Sequence, residues 1–285
     1  MLRKLLKYDM AAIKRIYTIL SVSVFAAAII GAICMRFFLE ATEIDKYGFF
    51  SVFALLFFIF SVIAVIGSFI VTMILVFIRF YKNFYSDEGY LTFTLPVDRK
   101  TLLRSKTLNA LIWLGFEVVL IVMCILAYML FIPTMEAGGP VINLIAFKSV
   151  GYFLKDVWNT IGAWLIVYIV MIVALLCVYL WFSIELMHFC ITVGAVIARK
   201  GKLFAGLGIW YGVNSGISLV IQIVAILCIS LMSNGYYMLI SGATQDMKCA
   251  CIAFILALVL AAFFSLAEIF HSMTLDKLRC KLNLS

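Results

Sequence analysis

Over most of this chain, apolar residues run on without interruption, and the charged residues are confined to short islands between the runs. The stretch 48–78 carries no charge, and 160–198 is interrupted only by Glu185 and His188. A bilayer core of about 30 Å takes roughly 20 helical residues to cross, so apolar runs longer than about 18 residues read as membrane spans. Six are expected, over 17–38, 49–80, 108–132, 160–186, 203–232 and 249–270. Barrel strands would show short alternating segments, and none occur. The expected fold is all-α: a polytopic membrane protein with six transmembrane helices in a single transmembrane domain over 1–285.

The segments between the runs refine this picture. In residues 1–16, Leu2, Leu5, Leu6, Ile13 and Ile16 recur at helical spacing while Arg3, Lys4, Lys7 and Lys14 lie elsewhere, which predicts an interfacial amphipathic helix. Seventeen Lys and Arg fall in the N-terminus, the segment 79–107, the loop before the fifth run and the tail, against five on the other side. The excess of basic residues on cytoplasmic segments then places both termini in the cytoplasm. The fourth run is too long for one crossing; it is expected either to project into the cytoplasm or to break near Glu185 into an interfacial piece. The outer loop 133–159 begins with the polar turn 136–140 and becomes apolar through Phe147, Tyr152, Phe153 and Trp158, so it is expected to lie on the outer surface or dip in partway.

Composition excludes the soluble classes. The chain is 66% hydrophobic and 13% charged, where soluble domains carry about 25% charge. Its net charge of +8 is read as topology signal and contact with anionic headgroups rather than nucleic-acid affinity. The eight cysteines lie mostly in apolar runs and form no CxxC, which leaves neither a disulfide framework nor a zinc motif. No G-x-x-x-x-G-K-[ST] occurs, so the chain has no phosphate loop of that type, and no Gly-x-Ser-x-Gly or metalloprotease motif appears.

Three constellations could carry chemistry. Glu117 is an acid near mid-bilayer, where a charge is costly and needs a cavity or a partner. Asn214 and Gln222 are its candidate partners along a substrate path, and a proton-coupled secondary transporter built around Glu117 is one alternative reading. Glu185-Leu-Met-His188 and Glu268-Ile-Phe-His271 are both Glu-x-x-His, the pairing used by di-iron carboxylate bundles. That alternative needs two further glutamates at the same level, so these residues are expected to be interfacial polar groups with no metal. Gly208, Gly212 and Gly216, and likewise Ala253, Ala257 and Ala261, recur every four residues; such seams let helices approach closely, within a subunit or across a dimer.

The longest polar island is 79–106, RFYKNFYSDEGYLTFTLPVDRKTLLRSK. Asp87-Glu88-Gly89 reads as a turn, 90–95 as a short rigid segment of aromatic and β-branched residues, and Pro96 as the start of a short amphipathic helix. The stretch Phe84-Tyr-Ser-Asp-Glu-Gly-Tyr-Leu-Thr-Phe-Thr-Leu-Pro-Val-Asp-Arg99, continuing through Leu102-Leu-Arg-Ser-Lys106, resembles the permease subunits of type-2 ABC exporters, most closely a branch common in clostridia and their relatives. The resemblance implies a multi-pass subunit of a bacterial plasma membrane that dimerises and works with separate ATPase subunits. ATP and magnesium would belong to that partner; this chain would hold no cofactor and would not itself be an enzyme. The island would hold the coupling helix, with Glu88, Gly89, Pro96, Arg99 and Lys106 in the coupling region and Asp87, Tyr90, Lys100 and Arg104 beside them. The implied cargo is an amphipathic peptide, drug or lipid-like molecule.

Overall fold

A computed structural model describes residues 2–44, 48–94, 96–131, 144–198, 201–240 and 244–280. Every regular element among them is helical: α1 (Leu2–Ile44), α2 (Gly48–Tyr85), α3 (Asp87–Thr94), α4 (Arg99–Phe131), α5 (Leu144–Ile161), α6 (Trp164–Ile197), α7 (Lys202–Ile240) and α8 (Gln245–Cys280). Six of these helices contain stretches long and apolar enough to cross a membrane: Leu2–Leu39, Ser51–Tyr85, Arg99–Phe131, Trp164–Ile197, Lys202–Ile223 and Asp246–Leu278. Helix is what the composition demands, because hydrocarbon offers the backbone no hydrogen-bond partner and only a helix or a closed barrel satisfies its own. The chain is a multi-pass membrane protein, and its outward surfaces are lined with residues such as Ile66, Val170 and Phe254.

Several expectations change in detail. No Gly or Pro interrupts 2–30, and the amphipathic N-terminal segment and the first span form one unbroken α1. The fourth run does not break near Glu185; α6 is continuous from Trp164 to Ile197. The rigid segment after Gly89 is helical, as α3, despite its aromatic and β-branched residues. The amphipathic helix after Pro96 is not separate either: it is the first turns of α4, whose first backbone bond runs from the Leu102 amide to the Asp98 carbonyl at 3.0 Å. The outer loop contains an 18-residue helix, α5; its polar turn, like the basic pair Arg199–Lys200 and the tail 281–285, lies outside the described residues.

The chain divides into two compact units. The first comprises residues 1–76 and 108–156, hence α1, most of α2 and most of α4. Its core joins Val24 and Ala28 of α1, Val65 of α2 and Cys124 of α4, with Leu20, Phe25, Leu120, Ile121 and Tyr128 around them. Gly31 lets α1 close on α2, since a Cβ there would fall on the Ser61 side chain. The Tyr128 hydroxyl donates to Ser61 Oγ at 3.0 Å, joining α4 to the same point.

The second unit comprises 77–107 and 157–285. Here α6 packs against both α7 and α8, around Phe182, Leu186, Cys190 and Ala267 with Trp181, Phe189, Trp210, Phe263 and Phe270. At one end, a Cβ on Gly194 of α6 would land on the Gly206 backbone of α7, and one on Gly206 would come within 3.1 Å of Ile191 Cα. At the other end, Trp164 Nε1 donates to Asp246 Oδ1 at 3.1 Å and the Tyr168 hydroxyl donates to the Cys249 carbonyl at 3.0 Å, tying α6 to α8.

Candidate functional site

The second unit builds a polar cluster at the centre of its helices. Glu185, on α6, is fully buried. Its Oε1 accepts a hydrogen bond from the Thr107 hydroxyl at 2.9 Å, and His271 Nδ1 of α8 lies 3.0 Å from the same oxygen. This second approach is at ion-pair distance without the alignment of a hydrogen bond, and Nδ1 counts as unsatisfied by that measure. His188, one turn along α6, places Nδ1 4.0 Å from Glu185 Oε2. Its ring stacks on Phe80, with centroids 3.9 Å apart and planes 19° from parallel. Both His188 nitrogens and Glu185 Oε2 have no hydrogen-bond partner among the described residues, although both side chains are fully buried. Leaving such groups unpaired ordinarily costs about 1–3 kcal/mol each, so this cluster is the most costly polar arrangement in the unit.

The two Glu-x-x-His motifs are thus used unequally. Glu185 gathers both histidines, one from its own motif and one from the other. Among the described residues, no group of three or more His, Cys, Asp or Glu side chains has an arrangement that could hold a metal ion. What the cluster does is join elements: it ties the first turns of α4 through Thr107, and α8 through His271, to α6. Its neighbour Thr192 extends it, accepting from the Tyr85 hydroxyl at 2.9 Å and donating to the His188 carbonyl at 2.8 Å, which brings in the end of α2.

The island between α2 and α4 is held to the same helices. Gly89 is buried; its amide donates to the Ser86 carbonyl at 2.7 Å, and a Cβ at this position would sit 2.8 Å from the Phe84 carbonyl oxygen. Phe93 meets Phe84 edge-on at 5.6 Å, and the Arg99 guanidinium lies over the Phe93 ring at 5.8 Å. Arg99 also donates to the Leu278 carbonyl in the last turn of α8, where unsatisfied carbonyls and the helix dipole favour a cation. Leu102 and Leu103 are buried, as is Lys106, while Pro96, Lys100 and Arg104 are exposed. Asp87, Glu88 and Tyr90 lie on α3, with side chains outside the described set.

The first unit holds a second buried carboxylate. Glu117 is fully buried and lies 2.6 Å from Ser68 Oγ and 2.9 Å from Thr72 Oγ1, two hydroxyls one turn apart on α2. Ser68 Oγ is also 2.7 Å from the Val65 carbonyl. A hydroxyl has one proton to give. When Glu117 is ionised, Ser68 donates to it; when Glu117 is neutral, it donates to Ser68, and Ser68 donates to Val65. Both protonation states are satisfied in place. The partners come from α2, where the sequence offered Asn214 and Gln222. Of those, Asn214 is exposed, and Gln222 Nε2 donates to Ser218 Oγ at 3.3 Å.

The glycine seam is also elsewhere than the repeat suggests. A Cβ on Gly208, Gly212 or Gly216 would meet nothing within 4 Å. Ala257 and Ala261 are exposed and Ala253 is half-buried. The close approach of helices in this unit is made by Gly194 and Gly206, which belong to no repeat. The Thr107 and Phe80 contributions likewise carried no signal in the sequence, because each lies on a different element from the residue it serves; Thr192 shares α6 with His188 but meets Tyr85 of α2.

No protein-family model, no curated protein and no solved structure matches the chain. The likeness to an exporter permease therefore rests on resemblance of sequence alone.

Proposed function

We propose that this chain is the transmembrane permease subunit of an ATP-binding-cassette exporter, which moves an amphipathic peptide, drug or lipid-like cargo using ATPase subunits encoded separately. The observation that carries the reading is the construction of the island. A basic loop resting on lipid needs no internal structure. This one has a helix closed against Phe84 at Gly89, an arginine seated on the end of α8, and two leucines buried behind it. It also leaves Lys100 and Arg104 exposed as contact groups. Such a piece can pass force to α6 and α8, whereas a slack loop would absorb it.

In the proposed cycle, ATP binding closes the two partner ATPases and draws the docked island with them. The unbroken α2 and α4 pass the movement into the membrane, and directional transport follows from different cargo affinities of the two states. A second permease subunit would close on the open face of α7 at Gly208, Gly212 and Gly216. The ATP and magnesium would sit in the partner.

The test is copurification of the full chain in mild detergent with the products of neighbouring genes. A stoichiometric ATPase that is lost in Lys100→Glu/Arg104→Glu, while the chain remains inserted and folded, supports the reading. These two positions are preferable to Arg99, whose substitution also removes the contact with α8. Transport driven by a proton gradient without ATP, and abolished by Glu117→Gln, would replace the exporter with a secondary transporter.

A further inference from the structure

The segment that neither the spans nor the island accounts for is α5, Leu144–Ile161. Most of its residues segregate by face, with Phe153, 65% exposed, on the border beside Thr160. Phe147, Val150, Leu154, Val157, Trp158 and Ile161 share one face at helical spacing, and Ser149, Tyr152, Asp156 and Thr160 share the other. Lys148 and Lys155, two turns apart, mark one border between the faces. Phe147, Val150, Leu154 and Trp158 are each between 38% and 46% exposed, so the described residues leave this apolar face partly exposed.

Two further observations choose among the occupants of that face. With Lys148, Lys155 and Asp156 in its interior, α5 is not among the membrane-crossing helices. Yet it cannot leave the membrane boundary: only Gly162 and Ala163 separate it from α6, whose 34 residues are apolar enough to span. Gly162 has φ +58°, a left-handed conformation that L side chains rarely adopt, and its amide closes the last turn on the Trp158 carbonyl at 2.7 Å. The chain is therefore turned between α5 and α6 at the start of a span, and Trp158 and Trp164 stand on either side of the turn. Indole rings favour this depth, being apolar in body and polar at the N–H.

From this placement we propose that α5 is an interfacial lipid-binding helix. It lies in the headgroup boundary of the leaflet opposite the basic loops, with Phe147, Val150, Leu154 and Trp158 among the acyl chains and Lys148 and Lys155 on anionic headgroups. An amphipathic helix of this kind binds by apolar area buried in the interface together with charge attraction to anionic lipid. The proposal is independent of the exporter reading and holds for any multi-pass protein with this segment.

The experiment uses the full chain in vesicles of phosphatidylcholine with and without phosphatidylglycerol, and reads Trp158 fluorescence as the difference between wild type and Trp158→Phe. Brominated lipid should quench that component and aqueous iodide should spare it. A tryptophan moved to the polar face, Tyr152→Trp in the Trp158→Phe background, should behave in the opposite way. Lys148→Gln/Lys155→Gln should reduce lipid quenching only where phosphatidylglycerol is present. Iodide quenching of Trp158 would overturn the proposal in favour of a water-exposed face. Lipid quenching at both positions would overturn it in favour of an inserted hairpin. Protection of Trp158 from both quenchers would mean a protein, not lipid, covers the face.

Discussion

Each unit buries one glutamate completely, and the two are built on different principles. Glu117 is hydrogen-bonded by two hydroxyls of α2, Ser68 and Thr72, and the Tyr17 side chain of α1 also interacts with it. Glu185 is approached by two imidazoles and one hydroxyl from three helices, its own included, and Glu185, His188 and the poorly aligned His271 each retain an unpaired buried atom. The first arrangement tolerates either protonation state because Ser68 can reverse its role while Thr72 continues to donate. The second sets one buried carboxylate beside two imidazoles, with Glu185 Oε2 and both His188 nitrogens left without a hydrogen-bond partner among the described residues. A site that tolerates change suits a passive packing role; a site that gathers three elements around one charge is a joint.

The comparison breaks most readily at Glu185→Ala. The substitution removes the group shared by Thr107 and both imidazoles; a buried polar group left unpaired costs about 1–3 kcal/mol, and the joint of α4, α6 and α8 should loosen with it. On heating in detergent, thiol labelling at the buried Cys190 should begin at lower temperature, while labelling at Cys124, buried in the other unit, should keep its midpoint. An unchanged Cys190 midpoint would mean that the cluster does not hold the unit together.

Next in size is Gly194→Ala. The added methyl falls on the Gly206 backbone, and overpacking of this kind costs about 1–3 kcal/mol. Gly212→Ala, with nothing within 4 Å, should stay within about 0.5 kcal/mol in the same labelling assay. Equal losses would restore the glycine repeat as the packing seam.

The charge-only substitutions sharpen the contrast between the two acids. Glu185→Gln replaces the carboxylate shared by Thr107 and the two imidazoles with an amide and should cost about 1–3 kcal/mol, the range for a buried polar group left without its partner. Glu117→Gln retains an acceptor for Thr72 and a donor for Ser68, and should cost less than about 1 kcal/mol. The smallest effect is expected at Thr72→Val, which deletes one hydroxyl contact; side-chain hydrogen bonds between membrane helices average about 0.6 kcal/mol. A Thr72→Val loss larger than that of Glu185→Gln would reverse the ordering of the two sites.

How far these sites could be read in the sequence follows from the spacing of their parts. Glu117, Glu185 and both histidines stood out because an ionisable residue inside an apolar run is conspicuous by itself. Their partners did not: Ser68, Thr72, Thr107 and Thr192 are small polar residues of a kind that occurs throughout these spans. The repeat Gly208, Gly212, Gly216 was conspicuous and lies open, whereas Gly194 and Gly206 were inconspicuous and lie at the close contact. The helix α3 was obscured by Asp-Glu-Gly, a turn signal, and by aromatic and β-branched residues that favour extended structure; the Phe84–Phe93 contact and the burial of Gly89 against Phe84 outweigh that propensity.

The sequence by itself determined the all-helical class, the number of candidate spans and the exceptional status of Glu117; the burial of Glu185, expected as an interfacial group, came from the tertiary structure. Transfer of apolar residues into hydrocarbon adds up along about 20 consecutive residues of one chain, so it is legible without knowing any neighbour. Only the tertiary structure decided which helix faces meet, which hydroxyls serve which carboxylate, and that one glutamate collects both histidines. Lipid and a neighbouring helix are nearly equally apolar surroundings for a side chain, so hydrophobicity does not choose between them; close backbone approach and the pairing of a few polar groups do.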